Sequence, residues 1–343
     1  MPWDEALVNA LVYDAPHPTE GRVIGYVEAV REALDQSLQA DPGVFVLGQG
    51  VDDPGAMFGT AKGLAEKYGA QRVFDTPLSE EGITGIVTGA AMNGMRPVYM
   101  HNRPDFILLT FNQLVTHASK FHFMDNGQTT VPLVIWAAIG RGWGSGAQHS
   151  QSIQGLLLGV PGLKIVMPST PYDAKGLLLA AIKDNNPVLV FEHRWLMKKT
   201  GVVPTEPYIV PIGRAVRRRR GSDLTVVGAS HAIELAERAA NEVSHVGVDV
   251  EVIDLRTIKP LDIETVIASV ERTTRLLVVE EGPLTGGWAG EVMARVTEQA
   301  LGSLDDAWRL ATADTPIPYS PPLEDAFLPG PGAIIQSVKE RSA

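Results

Sequence analysis

Three stretches of the chain hold residues whose types and spacing can do chemistry. In DTPLSEEGITGIVTGAAMNG (75–94), Pro77 ends a strand and Ser79 stands where a helix cap is expected. Glu80 and Glu81 then open that helix, where acids are favoured by the helix dipole whether or not they have another role. The small residues of GITGIVTGAAMNG would weaken an exposed helix, which points to close packing against a neighbouring element. In AAIGRGWGSGAQHSQS (137–152), alternate glycines give the backbone the freedom for close approach and lead straight into His149. The same pattern also serves as a plain connector, and it is neither a phosphate loop nor a dinucleotide fingerprint. Ser150 lacks the strand–elbow–helix setting of a hydrolase nucleophile.

The third stretch is HNRPDFILLTFNQLVTHASKFHFMDNGQ (101–128). Leu108, Phe111, Leu114, Val115 and Ala118 recur at helical spacing and read as core. Phe106 precedes that period and is either core or an aromatic platform at a strand end. His101, His117 and His122 do not have zinc-site spacing. The RRRR run at 217–220 reads as a solvated hairpin, with a phosphate-binding patch as the alternative. His231 marks a helix start, and Glu280 and Glu281 end a strand as a domain contact or a solvated cap.

Apolar strands VFVLG, RVFDT, PVYM, PLVIWAA, LKIVMP and PVLVFE alternate with helical patterns near 81–94, 109–123, 152–159 and 171–183. The pattern resumes with DLTVVG, VDVEVIDL and RLLVVEE, interleaved with helices from about Ala232, Leu261 and Trp288. This predicts an α/β protein of two domains, each a mostly parallel sheet flanked by helices. The divisions expected are an extension at 1–21, a first domain at 22–200, a linker and hairpin at 201–222, and a second domain at 223–343. Ligands of such sheets sit beyond the carboxyl ends of the strands, so the loops after RVFDT, PVYM and PLVIWAA are where a site is expected.

A net charge of −11 disfavours nucleic acid as a partner, and the absence of cysteine excludes disulfides, thiolate metal sites and thiol nucleophiles. The first residues carry acids early and do not read as a signal peptide, and no apolar run is long enough to span a bilayer. A cytoplasmic protein with no membrane partner is the expectation.

Taken together, RVFDTPLSEEGITGIVTGAAMNGMRPV, FNQLVTHASK, GAQHSQS, PGLKIVMPSTPYDAKGLLLAAIKDNNPVLVFE and DLTVVG resemble the beta subunits of thiamine-diphosphate-dependent 2-oxo acid dehydrogenases. These are pyruvate dehydrogenase beta-like members of the transketolase-like family, and the likeness runs from about Arg22 to near the end. It implies a pyrimidine-binding domain followed by a transketolase C-terminal domain. It also implies that Glu80 shares a proton with the cofactor's aminopyrimidine ring, that Phe106 packs on that ring, and that His149 transfers protons and helps hand the acyl group to lipoamide.

The family's GDG…N segment, which holds magnesium and the diphosphate, has no counterpart here; VDDPG at 51–55 lacks the pattern. The resemblance therefore implies an alpha chain that supplies magnesium and diphosphate binding, in an assembly of two alpha and two beta chains. A lipoyl acyltransferase core can accompany it. Leu133, Ala181, Asp184 and Asn186 resemble a loop pair that binds potassium in some relatives, a solvated turn being the alternative. His101, Arg103, Arg141 and Trp143 depart from the usual pattern and are candidates for the substrate pocket. The two arginines suit either a carboxylate or phosphate, or structural ion pairs. A two-chain transketolase-like carboligase, or an acyl or ketol transferase of specialised metabolism, is the alternative function.

Overall fold

The structure is a computed structural model that describes residues 18–55, 57–141 and 144–342. The chain divides into two compact units. One runs to Ile139 and resumes at Leu157–Ile212; the other takes Gly140–Leu156 and everything from Gly213 onward.

The first unit opens with strand β1 (Val23–Gly25) and helix α1 (Tyr26–Ala40). Strand β2 (Val44–Gly48), strand β3 (Val73–Phe74), helix α2 (Glu80–Met92) and strand β4 (Arg96–His101) follow. Next come β5 (Val134–Ile139), β6 (Lys164–Val166), helix α3 (Pro171–Lys183) and β7 (Val188–His193), with β8 (Thr200–Val202) pairing antiparallel to β1. Six strands line up in the order β6-β7-β5-β4-β2-β3, all parallel. Their side chains alternate between two buried faces. Val46, Val98, Met100, Val134, Trp136 and Val190 pack with α1 and α3 in one core. Tyr99 and His101 therefore point to the opposite face, where α2 lies against β4.

The helix expected near 109–123 is not a single α-helix. A 3-10 segment, Pro104–Thr110, runs into a π-helical turn, Asn112–Ala118, and a short α-helix, Phe121–Met124. Both of the first two segments pack against α2, and Leu114 and Ala118 are buried as their spacing predicts. Tertiary packing has changed the winding and with it part of the inward face: Leu108, Phe111 and Val115 are only half-buried, while Ile107 and Thr110 are fully buried.

The second unit holds β9 (Val216–Arg219), β10 (Leu224–Gly228), α4 (His231–Ser244), β11 (Val250–Asp254), α5 (Ile263–Thr273) and β12 (Arg275–Pro283). Helix α6 (Trp288–Ala300), strand β13 (Asp306–Thr312), α7 (Pro321–Phe327) and α8 (Pro331–Ser342) complete it. The sheet order is β13-β12-β10-β11-β9, parallel except for β9. Helices α4 and α8 bury Ile233, Ala236, Val243, Ile334 and Val338 against one face.

Here the RRRR reading is corrected: the run is no solvated hairpin but lies largely in edge strand β9. Arg217 Nη1 stands 3.5 Å from Glu251, Arg218 Nη2 is 2.8 Å from Asp254, and Arg219 Nη1 is 2.9 Å from Asp249. The cations are needed because Glu251 and Asp254 of β11 are buried acids, and a buried acid requires a partner.

Candidate functional site

Helix α2 begins at Glu80, with Ser79 in the cap position. The expected side-chain cap is not made; Ser79 instead accepts the Ile83 N–H on its carbonyl at 2.8 Å. Glu80 is left half-buried at the helix start, while Glu81 accepts Asn112 Nδ2 at 3.1 Å. Asp75 organises the approach: its carboxylate accepts the N–H of Gly50 and of Thr76, each at 2.8 Å. That carboxylate ties the loop after β2 to the end of β3.

Glu80 lines a small cleft with Gln49, Tyr99, Met100, His101, Asn102 and Phe106. Gln49 follows the carboxyl end of β2 and Asn102 that of β4, and Asn102 Nδ2 reaches the Gln49 carbonyl at 3.4 Å. In the strand order β2 leads outward to β3, whereas β4 and β5 lie on its other side. The cleft thus opens at the topological switch point, where parallel α/β sheets bind ligands.

Its inner wall is buried. The Tyr99 and His101 rings pack tilted at 50° with centroids 4.2 Å apart. Burial, with the Glu80 carboxylate adding to it, pushes the Tyr99 hydroxyl above the usual range. Burial alone drops His101 to about 3, so the ring is neutral at physiological pH. Its Nε2 has no hydrogen-bond partner, and Phe106 is half-buried at the cleft margin. Arg103 does not line this cleft; its guanidinium lies 5.4 Å over Phe58 and donates to the Asn102 carbonyl at 2.8 Å. Burial lowers its pKa, with Asp105 opposing.

The glycine-rich segment belongs to the other unit. Arg141 is buried there, its Nε 3.3 Å from the Glu281 carboxylate and its guanidinium 4.7 Å over the Phe327 ring. His149 is exposed, its N–H bonded to the Gly146 carbonyl at 3.4 Å. Trp143 lies outside the described residues. So Glu80, Phe106 and His101 share one cleft, while His149 and Arg141 stand on a separate segment.

The turn Ala181–Asn186 packs against the approach to β5: Val131 N–H donates to Asn185 at 3.0 Å, and Val188 N–H to Leu133 at 2.9 Å. Arg96 Nη1 takes the carbonyls of Ile182 and Asp184, both at 3.0 Å, and Lys164 holds the Asp184 carboxylate. The sequence did not point to Gln49, Tyr99 or Asn102. Their one signal was position at or near the carboxyl ends of two strands that turn out to be adjacent.

The transketolase pyrimidine-binding domain family matches residues 22–199, and the transketolase C-terminal domain family matches 213–334. The 2-oxoisovalerate dehydrogenase subunit beta of Bacillus subtilis (strain 168) is 40% identical over 321 residues, covering 93% of this chain and 98% of that protein. This chain belongs to the 2-oxo acid dehydrogenase E1 beta-subunit family. The pyruvate dehydrogenase E1 component subunit beta of Porphyra purpurea is also 40% identical, over 91% of this chain and 95% of its own length. The acetoin:2,6-dichlorophenolindophenol oxidoreductase subunit beta of B. subtilis is 38% identical, over 93% of this chain and 97% of its own length. Among solved structures, a split-gene transketolase in an inactive beta4 tetramer superposes with a TM-score of 0.75 at 20% identity, covering 92% of this chain and 98% of that one. That likeness supports the E1 beta fold of two transketolase-like domains. The family is enzymatic and thiamine-diphosphate-dependent. No described helix is long and apolar enough to cross a membrane.

Proposed function

We propose that the chain is the beta subunit of a thiamine-diphosphate-dependent 2-oxo acid dehydrogenase, carrying out oxidative decarboxylation with acyl transfer to lipoamide. The observation that carries this reading is the cleft itself, which joins a half-buried carboxylate and an aromatic ring to a neutral buried imidazole with an unpartnered nitrogen. Such a donor set fits the aminopyrimidine end of thiamine diphosphate and offers nothing for the diphosphate. When bound, the cofactor supplies the electron sink for breaking the bond beside the keto carbon.

Glu80 in this reading holds a proton against the pyrimidine ring nitrogen, and Phe106 fixes the ring plane. His149 moves protons at the reacting centre. Magnesium and diphosphate fall to an alpha chain, in a heterotetramer of two alpha and two beta chains that can engage a lipoyl acyltransferase core. Potassium on the carbonyls of Leu133, Ala181, Asp184 and Asn186 belongs to the same reading. The packing of that turn supports it, although Arg96 and Lys164 already bring two positive charges there.

A second reading, a two-chain transketolase-like carboligase or an acyl or ketol transferase of specialised metabolism, draws on the relatives named for acetoin rather than a 2-oxo acid. Reconstitution with the alpha chain, thiamine diphosphate and magnesium separates the two. Lipoamide reduction driven by pyruvate or 2-oxoisovalerate supports the first, and activity with acetoin alone supports the second. Full turnover by the lone beta chain would overturn both.

A further inference from the structure

The segment bearing His149 leaves the carboxyl end of β5, yet its described side-chain tethers run to residues more than a hundred positions later. On its N-terminal side, buried Arg141 pairs with Glu281 at 3.3 Å and lies beneath the Phe327 ring at 4.7 Å. Gly146, at φ +69, presses on the Tyr319 ring so closely that an added Cβ would come within 2.1 Å of it. On the C-terminal side, Ser152 Oγ reaches the same Glu281 oxygen at 3.5 Å, and Gln154 Nε2 donates to the Glu281 carbonyl at 2.9 Å. Gly155 meets the Gly286 carbonyl, which would lie 2.8 Å from a Cβ. His149 thus sits midway in a span pinned at both ends, and the pins come from two places: the end of β12 and the closing segment Ala313–Phe327.

We infer that the closing segment is a positioning strap for the active centre, with Arg141, Tyr319 and Phe327 as positioning residues that act through His149. A histidine on a glycine-rich loop would otherwise sample many placements, and a small misplacement of a proton-transfer group is costly to the rate. The charge pair at Arg141 is buried, so it holds the loop firmly once formed; removing one partner leaves a charge stranded in the interior. The inference rests on the proposed function only for the chemistry assigned to His149. That the strap holds the loop does not depend on it.

The test uses the alpha–beta holoenzyme with Tyr319→Ala, Phe327→Ala, Arg141→Met and Arg141→Lys. Tyr319 is largely exposed, so its loss leaves the fold intact. Amide hydrogen exchange over residues 144–153 is expected to quicken about tenfold, with the sheet strands unchanged. kcat should fall about tenfold while KM for the 2-oxo acid holds, Arg141→Lys being the mildest. In a His149→Ala background, the same substitutions should cost nothing further. Unchanged exchange in every variant, or full additivity with His149→Ala, overturns the strap. If His149→Ala alone turns over normally, the role given to His149 falls, and the exchange result still decides whether the strap holds the loop.

Discussion

At the scale of single residues, the cleft separates two groups by their surroundings. Glu80 stands half-buried at a helix start, whereas His101 is buried beside Tyr99 in the cleft's inner wall. Glu80→Gln keeps the shape and removes the ionisable oxygen. Turnover of the reconstituted enzyme is expected to drop about a hundredfold or more, with an unchanged melting temperature. Normal activity in that variant would refute the role. His101 has a different signature. Its pKa is lowered from 6.5 to about 3 by burial, so its contribution to stability is complete above 6.5 and is lost as pH falls toward 3. His101→Gln should flatten the acid limb of a melting-temperature profile across that window.

At the scale of elements, β9 and β11 are joined by charge. Glu251 is fully buried and serves Arg217, Arg272 and Ser269 Oγ together. Glu251→Ala strands two guanidinium groups near the interior. It is expected to cost about 3–5 kcal/mol in denaturant unfolding of the second unit. A loss under 1 kcal/mol would mean the network is replaceable. Glu280 shows the other use of a buried acid. It accepts the N–H groups of Trp288 at 3.1 Å and Ala289 at 2.8 Å, and so caps α6 from inside the fold. Helix α2 does pack, through Ile83, Thr84, Val87, Thr88 and Ala91, but its glycines are not the reason: a Cβ at Gly85 would meet Gln113 at ordinary contact distance and one at Gly89 would meet nothing within 4 Å.

At the scale of the whole molecule, two predictions concern assembly and pH. The isolated chain should bind thiamine diphosphate weakly, with affinity rising at least about a hundredfold when alpha chain and magnesium are added. Isothermal titration of the chain alone and of the pair measures this directly. Burial also raises the Glu192 carboxyl to about 8 and Glu280 to about 7. Both bind a proton more tightly folded than unfolded, so their contribution is full below pH 4.5 and is lost as pH rises through about 7 and 8. Glu192→Gln should therefore gain stability relative to the parent as pH climbs from about 5 to 8, by on the order of a few kcal/mol. A parallel pH profile in the two proteins would contradict this.

Local pattern determined a good deal by itself. Apolar strands alternating with helices specified two parallel α/β layers, because a strand buried on both faces has few other partners available. The family resemblance singled out Glu80, Phe106 and His149, of which the first two share the cleft, and the missing diphosphate segment led to the expectation of a divided pocket. Tertiary structure decided the rest. Which strands are neighbours cannot be read along the chain, so Gln49, Tyr99 and Asn102 joined the cleft only when β2 and β4 paired. The arginine run became an edge strand because it pairs with β11, whose buried Glu251 and Asp254 reach its guanidinium groups. Arg141 found Glu281 and Phe327 only after the closing segment folded back, for a charge buried in an apolar interior is settled by whatever opposite charge the fold brings within reach.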